Sequence, residues 1–98
     1  MRIVNANKME NCIDGDFVYM YKLDTAWVKE SIQALGALGQ LKYYASFPKP
    51  MFQLACADGT IVKGVQGMDE CRVIYARSFS AESMKQFDKR FEDIVSLF

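Results

Sequence analysis

A chain of 98 residues that is 51% hydrophobic and 24% charged has the composition of one folded domain, with room for a single core that needs no metal or disulfide to hold it. Twelve basic residues balance twelve acidic ones, so no net field draws a polyanion, and no nucleic-acid partner is expected. Histidine is absent, which removes Ser-His-Asp and Cys-His catalysis and His-based zinc sites within one chain.

Residues 1–15 carry weak signals and are expected to form a loosely structured N-terminal segment of the single domain 1–98. Within it, 2–5 suit a short strand and Asp14-Gly15 a turn. No apolar stretch of signal-peptide type follows Met1 and no run of eighteen apolar residues occurs, so the expectation is a cytoplasmic protein with no membrane partner. Cys12, Cys56 and Cys71 are widely spaced and form no Cys-x-x-Cys pair, which fits a reducing compartment.

From 16 to 23 the chain alternates. Phe17, Tyr19, Tyr21 and Leu23 fall on one side and Val18, Met20 and Lys22 on the other, the period-two pattern of a strand. Asp24 or Thr25 suits the cap of a helix whose apolar residues are Trp27, Val28, Ile32 and Leu35, and Gly36 suits its end. Four short apolar segments follow at 41–46, 51–57, 60–65 and 71–77, parted by turn residues at 47–50, 58–59 and 66–70, the signature of a β-meander. Ser78 or Ser80 suits the cap of a last helix, where Met84, Phe87, Phe91, Ile94, Val95 and Phe98 trace one stripe at 3.6 residues per turn.

The order strand, helix, four strands, helix predicts an α+β two-layer sandwich, an antiparallel sheet with two helices on one face. It resembles the order found in the TATA-box-binding protein fold and, more loosely, the helix-grip folds that wrap a sheet around a long C-terminal helix. The resemblance is one of topology and carries no function.

If Asp58-Gly59 is a two-residue hairpin turn, residue 56 faces 61, 54 faces 63 and 52 faces 65, and a five-residue loop sets Cys71 beside Val65. That register puts Phe52, Leu54, Cys56, Ile61, Lys63, Val65, Cys71, Val73 and Tyr75 under the helices. The other face then carries Gln53, Ala55, Val62, Gly64, Arg72, Ile74 and Ala76, too apolar for a fully solvated surface.

Gly64-Val65-Gln66-Gly67 matches the Gly-x-x-Gly of some RNA-binding loops, but it leads from a strand into a hairpin, so it reads as a turn. Glu10, Asp14 and Asp16 lack the spacing of a calcium loop, and no metal or cofactor is expected. Lys63 on the apolar face would keep its ammonium wet at the core's edge. Cys56 and Cys71 alternate with core residues, while Cys12, in a polar segment, is the candidate reactive thiol.

The functional expectation is a non-catalytic module that binds a protein partner or a second copy of itself through the uncovered sheet face. Tyr19, Tyr21, Tyr43, Tyr44 and Phe52 are the candidate surface, with Tyr43 or Tyr44 pointing outward at a homodimer interface. The alternative is a carrier or sensor for a small apolar ligand, with a pocket between helix and sheet lined by Tyr19, Tyr43 and Phe52.

Overall fold

Six strands pair in one antiparallel sheet in the computed structural model of the chain, which describes residues 1–8, 17–46, 48–75 and 80–98. In chain order the elements are β1 (Ile3–Lys8), β2 (Phe17–Leu23), α1 (Lys29–Ala34), a 3-10 segment (Leu35–Leu38), β3 (Gly39–Tyr44), β4 (Met51–Cys56), β5 (Ile61–Val65), β6 (Glu70–Tyr75) and α2 (Ala81–Val95). The spatial order is β1-β2-β6-β5-β4-β3. The meander from β3 to β6 forms as expected, and α1 carries the chain from β2 to the far edge, so that β6 returns beside β2. Both helices contribute to one apolar cluster on one face of the sheet, giving the two-layer α+β architecture.

The N-terminal segment is more ordered than expected over Ile3–Lys8, which pairs with β2 and sets Ala6 opposite Tyr21. The expected turn at Asp14-Gly15, and with it Cys12, Glu10 and Asp16, lies outside the described residues.

Trp27 does not belong to α1. It precedes the helix and binds the β5–β6 loop: its backbone N–H donates to Met68 O at 2.8 Å, its carbonyl accepts from Gly67 N at 2.9 Å, and its indole Nε1 donates to Glu70 O at 3.2 Å. Val28, not Asp24 or Thr25, is the helix cap, and Ser31 completes it by accepting from Val28 N–H at 3.0 Å. Asp24 instead accepts from Arg2 N at 2.8 Å, tying the start of β1 to the end of β2. Gly36 does not stop the helix, because the chain tightens into the 3-10 segment and continues to Leu38.

Ser80 caps α2, its Oγ accepting from Ser83 N at 3.2 Å. Phe87, Phe91 and Val95 are buried and Met84 and Ile94 flank them, but the helix stops at Val95 and Phe98 stands 43% exposed beyond the stripe. Phe91 packs edge-on against Tyr21 at 6.4 Å and Trp27 at 6.0 Å between ring centroids, and Trp27 meets Phe52 at 4.9 Å. This aromatic interlock is the centre of the core.

The β4–β5 register departs from expectation by one residue. Leu54 pairs with Val62 and Phe52 with Gly64, because the hairpin uses three loop residues rather than two. Gly59 N donates to Cys56 O at 3.1 Å, Cys56 N donates to Thr60 O at 2.8 Å, and Gly59 takes φ 92°, the left-handed residue of a glycine bulge. Across the next hairpin Val62 pairs with Val73 and Gly64 with Cys71, so β5 alone is turned over relative to the expected register. Val62 and Gly64 face the core, while Ile61, Lys63 and Val65 face away from it.

Candidate functional site

The helices cover one side of the sheet and leave the other open. Strand alternation places Val18, Met20 and Lys22 of β2 on the open side, together with Ile61, Lys63 and Val65 of β5 and Glu70, Arg72 and Ile74 of β6. Met51, Gln53 and Ala55 of β4 join them, as do Gln40, Lys42 and Tyr44 of β3. Reading across the strands, Asn7, Met20, Arg72, Lys63, Gln53 and Lys42 pair in succession, so one row crosses the whole face.

A hollow of about 300 Å³ lies on this face at the end of the sheet where β5 turns into β6. Met20, Met51, Met68 and Val65 supply its apolar walls, and its floor runs over the backbone at Gly64 and Cys71. Met51 is 44% exposed and Met68 38%, so these thioethers meet solvent rather than fill a core. The rim is charged, with Lys63 and Arg72 beside Glu70. Trp27 holds Met68 in place through the backbone bond to the β5–β6 loop, which places one wall of the hollow under the control of the core on the other side.

Lys63 and Arg72 are direct cross-strand partners, and both are exposed. Among the described residues neither forms an ion pair, whereas Lys22 on the same face is held by Asp69 at 2.7 Å. Like charges set opposite each other on neighbouring strands oppose pairing by a few tenths of a kcal/mol to about 1 kcal/mol. The sheet carries that cost at the edge of its hollow.

The aromatic residues expected to form the site are divided. Tyr21 is 0% exposed and Phe52 2%, so both are core residues and cannot serve an open surface. Tyr19 and Tyr43 are half-buried against the same core, and Tyr43 donates its hydroxyl hydrogen bond to Gln66 Oε1 at 2.5 Å. Tyr44 alone of the five stands on the open face, 41% exposed at the edge strand. The pocket expected between helix and sheet is instead filled where Phe52 lies, by Trp27 on one side and Gly64 on the other. Lys63, expected on the apolar face, is on the open one. Methionine has no strand signature of its own, so the sequence does not mark Met51 or Met68; only the observed register sets Met51 beside Val65.

Beneath α2 lies a second polar group. Tyr21 donates its hydroxyl to Asp88 Oδ1 at 2.5 Å and, having spent its only proton there, accepts from Tyr75 across 2.6 Å. Burial pushes the Asp88 carboxyl above its ordinary range, against the lowering effect of the Tyr21 hydrogen bond. Burial likewise pushes the Tyr21 and Tyr75 hydroxyls up, so both stay protonated. Among the described residues no buried side-chain nitrogen or oxygen lacks a hydrogen-bond partner, and the chemistry of the Tyr75–Tyr21–Asp88 link is that of a structural tie between sheet and helix.

Burial also pushes the Cys56 thiol up to about 11 and that of Cys71 up to about 12, far from a reactive thiolate. Among the described residues no three of Cys, Asp or Glu converge as a metal site, and no helix is long and apolar enough to cross a membrane. Comparison with protein-family models, curated proteins and solved structures finds no match.

Proposed function

We propose that the chain is a non-catalytic protein-interaction module that docks a partner on its open sheet face. The observation that carries this reading is the solvent-facing hollow of Met20, Met51, Met68 and Val65 on a sheet surface that the protein's own helices leave bare. Methionine side chains are unbranched and polarizable and adapt to the shape of whatever enters, which suits a protein-binding surface. Burial holds the thiols of Cys56 and Cys71 protonated, so neither has the character of a nucleophile. Pairing of two identical copies is the less favoured form of this reading, because a two-fold axis over the hollow would bring the Lys42, Lys63 and Arg72 row against itself.

A photo-crosslinking amino acid placed at position 51 tests the reading in the cells that make the protein, with position 89 on the solvent side of α2 as the control. A discrete protein adduct is expected from 51, absent from 89 and lost in Met20→Glu. Adducts of equal yield and identity from both positions, or none from 51, would overturn it. An adduct of twice the chain's own mass would identify the partner as a second copy.

A further inference from the structure

We infer that the open face takes an acidic segment of another protein, with one apolar side chain entering the methionine hollow and carboxylates straddling Lys63 and Arg72. This rests on the docking reading above and adds the partner's chemistry to it.

The argument starts from the cross-strand pair. Lys63 and Arg72 oppose each other and, among the described residues, neither forms an ion pair, although Glu70 stands on the same rim and the chain as a whole holds as many acids as bases. Lys42 extends the same row toward the β3 edge, separated from Lys63 only by the neutral Gln53. Among the described residues Glu70 is the single carboxylate on the rim, and Asp69 is engaged with Lys22. The open face is therefore a basic strip on a neutral protein, and the repulsion stored across β5 and β6 is relieved when an anion bridges the two cations. A sheet that breaks its own pairing rule at the mouth of an exposed hollow follows the pattern of binding sites that trade stability for recognition.

The hollow decides between anionic partners. Nucleic acid bound on a sheet relies on aromatic side chains for base stacking, and among the described residues this face offers Tyr44 alone, at its edge. Three thioethers and a valine accept an aliphatic or aromatic side chain instead. Residues i, i+2 and i+4 of an extended peptide share one side, so an apolar residue flanked two positions away by carboxylates turns all three toward the face, matching cations beside an apolar hollow.

Fluorescence anisotropy with the full chain tests this using three labelled probes: a peptide repeating Glu-Ser-Leu-Ser, which sets Glu and Leu on one side of an extended chain, the same peptide with Lys in place of Glu, and a single-stranded RNA oligonucleotide. The acidic peptide should bind in preference to the others, and its affinity should fall with salt. Lys63→Glu should weaken it by about tenfold or more, while the urea midpoint of the free protein rises because residues 63 and 72 then attract. Met51→Gln should weaken the same peptide through the hollow. If the basic peptide binds equally well and Met51→Gln weakens both, the acidic-partner inference is overturned and the docking reading stands. If neither peptide binds and neither shifts amide resonances of β5 or β6, both fall. RNA bound more tightly than the acidic peptide, and lost in Lys63→Glu, would overturn the inference in favour of nucleic acid.

Discussion

Phe52 lies so closely over Gly64 of the neighbouring strand that a Cβ at Gly64 would stand 2.6 Å from two ring carbons. The glycine is the space into which the ring turns, and Trp27 closes the ring's other side at a centroid distance of 4.9 Å. Gly64→Ala should therefore destabilise the domain by about 1 to 3 kcal/mol, as overpacking does. In urea unfolding, the loss should shrink when Phe52→Leu is added, since the two residues share one volume. Additive losses would show that the ring has room to move.

Phe91 is fully buried between Tyr21, Trp27 and Phe87. Truncation to alanine should cost about 3 to 5 kcal/mol, the usual loss for a buried aromatic. A change below about 1 kcal/mol in the same unfolding assay would mean that α2 is peripheral to the core.

Asp88 gives stability a pH dependence of definite sign. Burial raises its folded value above the ordinary 3.8, so the stabilisation linked to this group is present below 3.8 and is lost as pH rises through the folded value. Asp88→Asn keeps an oxygen for the Tyr21 hydroxyl and removes the titration. Urea midpoints of wild type and Asp88→Asn measured from about pH 3.5 to about pH 7.5 should show the wild type losing ground to the variant as pH rises. A difference that stays constant, or changes the other way, would place Asp88 in a water-like environment.

The cysteines should report the same core. Cys71 is 2% exposed with its thiol pushed up to about 12, and it sits opposite Gly64 in the buried core. At neutral pH an alkylating reagent should modify Cys71 only at the rate of unfolding, and urea should accelerate the reaction. Cys56, half-buried and raised to about 11, should react slowly but ahead of Cys71. Rapid modification of Cys71 in native protein would contradict its burial in the core.

Most of the fold was legible because its cause is local. The Phe87, Phe91 and Val95 stripe and the β3–β6 meander follow from periodicity and turn residues, which act within a few positions. The register of β5 was not legible, since Asp58-Gly59 fits both a two-residue turn and a three-residue loop with Gly59 in the bulge, and the choice moves every residue of β5 to the opposite face. That single ambiguity hid the candidate site. It placed Lys63 among the core residues and separated it from Arg72, so the opposed cations could not be seen. The aromatic residues chosen in their place were drawn from the strongest hydrophobes, and tertiary packing had already claimed Tyr21 and Phe52.

The position of β6 between β2 and β5 has a consequence for how the protein is made. Tyr21 and Tyr75, whose hydroxyls meet at 2.6 Å, are 54 residues apart in the chain. As the polypeptide emerges from the ribosome, β1 and β2 appear first but have no central sheet to join until β6 has followed. The meander can assemble meanwhile from neighbouring segments, and the early strands then dock onto its last strand in a non-local step that closes a long loop. Folding is expected on the millisecond-to-second scale of such topologies, and until that step the apolar side of β2 is exposed to chaperones and to other nascent chains.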